Sequence, residues 1–229
     1  MRPLIIALAA GLAVAALAAA ADERPKNIRV CVQFIEIAHP ALTEMLAGTD
    51  ISGPRLHDQA LALVKNAAAK VLETCVLTTR PNQKASLASI REVIYPTEYE
   101  PPGSVNLPPR QPSIRPELDA FETRNVGSML EIEPSLQEGS RLIDLGFVPE
   151  IIQLVRLDTW MEHTDRWGDA SIRRPVFEKS CLNTRVTLMA GQFELVGVIT
   201  PKPNTPGPAT TRKLLVFVRA DILPAVSST

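Results

Sequence analysis

The chain has 229 residues, of which 45% are hydrophobic, enough for one large domain or two small ones with a real core. Against 24 Lys and Arg stand 25 Asp and Glu, and there are only two Trp and two Tyr. That balance excludes the basic footprint of a nucleic-acid binder, and the scarcity of aromatics excludes a base-stacking platform.

Arg2 is the only charge before Asp22, and Leu4 to Ala21 is an unbroken run of Leu, Ile, Val, Ala and one Gly. A positive start, an apolar run and small residues at its end make residues 1–21 a secretory signal peptide, cleaved near Ala20 or Ala21. The rival reading is an uncleaved anchor, since the run is almost long enough to span a bilayer, but Ala is only weakly apolar. The mature chain, 22–229, is therefore expected in the periplasm or associated with the outer membrane. No other stretch is apolar enough for a spanning helix, which leaves a soluble domain or a contribution to a β-barrel.

Residues 28–37 alternate, with Ile28, Val30, Val32 and Phe34 on one face and Arg29, Cys31 and Gln33 on the other. The alternation slips at Phe34-Ile35, the mark of a bulge or of burial on both faces. Pro40 opens a short helix that Gly48 ends. A second helix is predicted over 55–70, with Leu56, Ala60, Leu63, Val64, Ala67 and Val71 on one stripe and His57, Asp58, Lys65 and Asn66 outside it. Residues 71–80 and 85–95 read as a hairpin about a polar turn. Seven prolines within 96–116 predict an extended loop or arm. Strands follow at 121–133, with Val126, Leu130 and Ile132 facing one way, and at 141–157. A loop is expected around 160–173, then strands at 176–189 and 193–199 about an Ala190-Gly191-Gln192 turn. A second proline-rich insertion, 201–208, precedes a closing strand over 213–223. The fold class is α+β and β-rich: a strand–helix–helix–strand unit continuing into long antiparallel strands, in a single domain.

Three cysteines, Cys31, Cys75 and Cys181, lie far apart with no CxxC spacing, which argues against a zinc site. Export permits one internal disulfide. Cys31 and Cys75 sit on strands flanking the two helices, and that pair is the expected bond, with Cys181 left free; the alternative is that all three are small buried hydrophobes. His39 reads as a helix-cap or surface residue and His57 as an exposed helix position. His163, between Glu162 and Asp165, matches no metal spacing. No nucleophile elbow, S-x-x-K pair or phosphate loop occurs, so no catalysis and no cofactor are expected.

Taken together, these segments resemble the core of the bacterial secretins. Residues 28–37 with the following helix are similar to its opening. Residues 72–102 are similar to a strand, turn and strand ending in a tyrosine-proline motif, here Tyr95-Pro96. The closest match is 120–136, centred on Val126-Gly127, followed by 143–151. Residues 174–199 are similar to paired strands about a glycine turn, here Gly191, and 213–223 to the final strand. Secretins form rings whose cores assemble a gated outer-membrane β-barrel serving type II and type III secretion and type IV pili. Three departures stand out. The mature chain begins almost at the core, without preceding ring domains. The family's double glycine is reduced to Leu195-Val196-Gly197-Val198-Ile199. Residues 200–212 replace the Val-Pro-x-Leu-Gly-Asp-Ile-Pro segment before the last strand.

The resemblance implies a non-enzymatic envelope component, an accessory or structural part of a type II secretion or type IV pilus-type machine. Its partners would be other secretion or pilus proteins, or further copies of itself. Two other readings stay open: a minimal secretin forming a ring channel, and a stand-alone periplasmic or surface β-domain that binds a ligand. The leader gives a direct expectation: protein recovered from its own envelope starts near Ala21 or Asp22 on N-terminal sequencing. Retention of Met1 would make the leader an anchor.

Overall fold

The computed structural model describes residues 26–48, 51–100, 117–137, 139–165, 168–201 and 211–224. The leader and most of both proline-rich insertions lie outside the described residues. In chain order the elements are β1 (Lys26–Ala38), α1 (His39–Leu46), α2 (Gly53–Lys65), β2 (Ala69–Thr79), β3 (Ala85–Glu100), β4 (Glu117–Leu136), β5 (Leu142–Asp165), β6 (Gly168–Cys181), β7 (Thr184–Met189), β8 (Phe193–Ile199) and β9 (Arg212–Pro224). They form two antiparallel sheets, one ordered β2-β1-β9-β8 and one ordered β3-β4-β5-β6 with β7 also on β5. The fold is β-rich with two helices, and its strand–helix–helix–strand start runs on into long antiparallel strands, as the sequence predicts. Among the described residues no helix is long and apolar enough to cross a membrane.

The slip at Phe34-Ile35 marks the strand that organises the body. Ile28, Val30, Val32 and Phe34 of β1, with Leu214, Val216, Val218 and Ala220 of β9, face the second sheet and pack on Leu130, Ile132, Ile143, Leu145, Phe147 and Leu188. Ile35 and Ile37, with Leu215 and Phe217, face the other way, onto Leu42 and Met45 of α1 and Leu56 and Ala60 of α2. The body is therefore three layers: helices, first sheet, second sheet. β1 needs apolar residues on both faces from Phe34 onward because the helices cover only that end. The register of β1 with β2 also shifts at this point, since Phe34 pairs with Glu73 and Ile35 with Val71, leaving Leu72 as the extra residue.

The helices start where proline makes starting easy, with Pro40 and Pro54 in their first turns. α2 ends at Lys65 and not at residue 70. The chain reverses through Ala67, at φ 55°, so that Ala69 can pair with Ile37. The predicted stripe is real as far as Val64, but Val71 belongs to β2.

The remaining corrections all concern the second sheet. The 160–173 segment is not a loop: β5 runs unbroken to Asp165 and returns as β6 from Gly168. Its apolar residues, Met161 and Ile172 among them, are too few and too far apart in sequence to betray a strand period. The predicted strand 176–189 is two strands, β6 and β7, aligned end to end along β5 and interrupted at Leu182-Asn183. Strand structure also reaches into the proline-rich segment, through Pro96 to Glu100, and the next strand begins directly after it at Glu117, ahead of the expected 121.

Proline is tolerated where a ladder is missing. Pro96 lies in β3, an edge strand, beside a register shift at Thr97. Pro149 sits in β5 between the end of its pairing with β7 at Phe147 and the start of its pairing with β6 at Glu150.

Gly127 lies in β4 at φ 140°, and a Cβ there would fall on the carbonyl oxygen of Ser89 in β3. Gly191, in the β7–β8 turn, has φ 87° and open space around it. Gly191→Ala should therefore cost only the dihedral strain, about 1–2 kcal/mol. Gly127→Ala adds a backbone clash and should cost more than about 3 kcal/mol. Urea unfolding of the two variants checks the ranking.

Candidate functional site

Two hairpins leave the body of the second sheet. β4 pairs with β5 only from Gly127, opposite Ile152, down to Leu136, opposite Ile143. Beyond that point β4 stays with β3 as far as Glu117 opposite Glu100, and β5 stays with β6 as far as Asp165 opposite Gly168. Among the described residues, the facing edges of β4 above Gly127 and of β5 above Ile152 have no strand partner. The outer edges of β3 and β6 are the ends of the sheet. Val126-Gly127 thus stands at the fork, where glycine lets β4 part from β5 while holding β3.

The hairpins carry apolar side chains into solvent. Strand alternation puts Ala88, Ile90, Ile94 and Pro96 of β3 on one face with Phe121 and Met129 of β4. Ile94 is 66% exposed and Phe121 56%. On β5 the register with β6 skips Val155 and Trp160, so two bulges present large apolar groups, Trp160 being 57% exposed. The Arg174 guanidinium lies over the Trp160 ring at 5.1 Å.

The two hairpins touch at Tyr95. Its hydroxyl donates to Glu122 Oε2 at 2.9 Å, which raises the phenol above its ordinary pKa. Its ring packs on Phe177 of β6, 5.6 Å between centroids, and the Arg124 guanidinium lies 5.6 Å from the centre of the Phe177 ring. Of the residues singled out by resemblance, Tyr95, Pro96, Val126 and Gly127 all belong to the β3–β4 hairpin. Gly191 does not; its N–H donates to Ala220 O at 2.8 Å and ties the β7–β8 turn to β9. The sequence reading missed Phe177 as the contact between hairpins; its only signal was an aromatic in a charged strand.

The proposed Cys31–Cys75 bond is not formed: Cys31, Cys75 and Cys181 are free thiols. The register explains why. Cys75 lies opposite Val32 and Cys31 opposite Val76, so the two cysteines point to opposite faces of the sheet. Cys75 is buried in the core between the sheets, beside Ser128, and burial raises its thiol pKa.

His57 is likewise not an exposed helix residue. It is buried under α2, stacked on Phe193 at 3.7 Å and edge-on to Phe217 at 5.1 Å, with Nε2 donating to Gln33 Oε1 at 2.8 Å. It lies one residue off the predicted stripe, beside Leu56. Such a flanking position is where a ring can pack sideways and still reach a polar partner.

No group of three or more His, Cys, Asp or Glu among the described residues is arranged to hold a metal. A cleft of about 290 Å³ on the solvent side of the second sheet is ringed by Lys84, Glu131, Glu133 and Arg185. These charges are paired with one another, Lys84 to Glu131 at 2.7 Å and Arg185 to Glu133 at 2.9 Å. The feature with most capacity for contact is the forked pair of hairpins.

No protein-family model and no curated protein matches the chain. Solved structures do. A chain of the ETEC pilotin–secretin complex of AspS and GspD matches 98% of this chain over 54% of its own length, at 15% identity and TM-score 0.46. Aeromonas hydrophila ExeD matches 98% over 53%, at 16% identity and TM-score 0.43. The Salmonella SPI-1 injectisome secretin InvG matches 94% over 69%, at 13% identity and TM-score 0.45. The chain is secretin-like in fold. It spans about half the length of the GspD-complex chain it matches, and at these identities the likeness is one of fold alone.

Burial lowers the pKa of His57 below its ordinary 6.5, with nearby Arg219 acting the same way and Asp58 opposing. A histidine kept neutral in the fold contributes stability that is full above pH 6.5 and is lost as pH falls toward the depressed folded value. The free energy of unfolding should therefore drop between pH 7.5 and 5.5. His57→Phe keeps the stack and removes the titration, so its profile over that range should be flatter; denaturant titrations at stepped pH measure both.

Proposed function

We propose that this chain is a non-enzymatic component of the bacterial cell envelope that docks onto other envelope proteins through its forked hairpins, as an accessory or structural part of a type II secretion or type IV pilus-type machine. One observation carries the reading: the β3–β4 and β5–β6 hairpins present open strand edges and exposed apolar side chains together. Unpaired edges are templates for another strand, and natural proteins ordinarily blunt them. Here they are long and flanked by Ile94, Phe121, Leu157 and Trp160. The leader-like pattern of residues 1–21 and the order of secretin-like segments support the same setting. The single mature domain of 22–229 with its two proline-rich insertions belongs to this proposal.

A second reading, a ring-forming channel, has one observation in its favour. Over the described stretches 88–96 and 121–129, the face bearing Ile90, Ile94, Pro96, Phe121 and Met129 has Glu92 as its one charge. Against it, the opposite face of β4 carries Glu122 and Arg124, and a lipid-facing barrel wall needs sustained apolar alternation on strand after strand.

Size measurement of the mature protein in solution and in mild detergent, with bilayer recordings, separates the two. A monomer or small oligomer without conductance is expected; a large, detergent-stable ring that passes current supports the channel. The double substitution Ile94→Lys with Phe121→Lys should change stability by no more than about 0.5 kcal/mol, since both side chains are exposed. It should abolish co-purification with envelope partners from native membranes. Unchanged association would show that the hairpins are not the contact.

A further inference from the structure

The helix layer covers only part of the first sheet. α1 and α2 sit over Ile35, Ile37, Leu215 and Phe217, and His57 caps Gln33. Alternation along β1 and β9 puts Cys31, Arg29, Arg219 and Asp221 on that same face, beyond the helices. One row there runs Val76, Cys31, Arg219, Phe193 and the next runs Thr78, Arg29, Asp221.

The charges in these rows do not balance. Arg29 donates to Asp221 Oδ2 through Nε at 3.3 Å and Nη2 at 3.2 Å, and Arg219 donates through Nη2 to the same oxygen at 3.1 Å. Two guanidiniums thus share one carboxylate oxygen. Arg219 is further fixed by its position 4.9 Å over the Phe193 ring. Its Nε is buried and, among the described residues, is the side-chain donor left without an acceptor. Arg29 stays 42% exposed, and Val76 beside it 48%. A planar, half-open guanidinium held in place by a carboxylate is preorganised for a second carboxylate.

We propose that this part of the first sheet, left uncovered by the described residues, docks an acidic amphipathic helix of a partner protein, with one carboxylate on Arg29 and an apolar side chain on Val76. The charge sets the partner's sign, since one added carboxylate neutralises the pair of guanidiniums. The layer sets its form, since a helix there continues the cover begun by α1 and α2 over the same sheet face. When the incoming carboxylate takes Arg29, Asp221 is released to face Arg219 and supplies the acceptor that its Nε lacks. This deepens the docking role proposed above and rests on it, while using a face separate from the hairpins.

The test uses the purified mature protein and a synthetic helix of about sixteen residues, long enough to be helical alone, bearing a Leu stripe flanked by Glu. A second peptide has Gln at every Glu. Nitrogen-detected NMR follows the Nε–H signals of Arg29 and Arg219 and the backbone amides of 29–31, 76–78 and 219–221. Expected is saturable binding of the Glu peptide that moves these signals. The Gln peptide, the Arg29→Ala variant and the Val76→Asp variant should each bind about tenfold or more weakly. The proposal is overturned if the Glu peptide leaves these signals unmoved, if the Gln peptide binds as well, or if sodium acetate or phosphate alone gives the same shifts. It is also overturned if the signals move with protein concentration alone, which would make the occupant a second copy. A failure here with hairpin-dependent co-purification intact removes this face alone; loss of both removes the docking role.

Discussion

The ladder between β1 and β9 joins Lys26 to Pro224 and runs without a break to Ala38 opposite Arg212. Both strands are buried against the second sheet along most of their length and against the helices from Gln33 onward, so each hydrophobic layer of the body rests on this pairing: the helices on one side and the second sheet on the other. Before it can form, the whole intervening chain must be brought round, and the loop-closure entropy is offset only when both layers close on it. That cost explains why β1 and β9 are the most uniformly apolar strands, with Ile28, Val30, Val32, Phe34, Val216, Phe217 and Val218 all excluded from solvent.

The body and the hairpins obey different rules. In the body a strand earns its place by burying one face or two. In the hairpins beyond Gly127 and Ile152, strands are held by ladder hydrogen bonds and by a few contacts such as Tyr95 on Phe177. Isolated two-stranded ribbons are marginal in water, so these hairpins draw stability from their continuity with the body through β4 and β5. The same poverty of internal contacts leaves their apolar side chains free to meet another surface.

This division also decides what could be read from the sequence. β1, the two helices and β9 were legible because burial writes periodicity into them, down to the double burial at Phe34-Ile35. The helix end at Lys65 was not, since the apolar stripe continues through Val71 although the chain has already turned into β2. The far ends of β5 and β6 read as loop in the sequence because their few apolar residues, such as Met161 and Ile172, stand too far apart among charged ones to set a period. The Cys31–Cys75 pairing failed on a single-residue offset of register, which spacing along the chain cannot reveal. His57 was placed outside by its polarity, while its ring and one hydrogen bond allow it inside. The fork at Val126-Gly127 was marked by resemblance, but only the pairing of β4 shows that it is where two hairpins part.

The β1–β9 clasp and the long β5 give the molecule a mechanical asymmetry. Because β1 and β9 are antiparallel, Lys26 and Pro224 lie side by side at one end of the ladder. A pull that separates the two flanking segments loads the rungs one after another, like opening a zip. A pull on the far end of β5 acts along the strand axis instead. It is shared at once among all the rungs that join β5 to β4 and β7, from Leu142 to Ile152. Traction at the hairpins is thus resisted in shear, while traction between the chain's two flanks peels, so the molecule holds a load best at the end where its open strand edges stand.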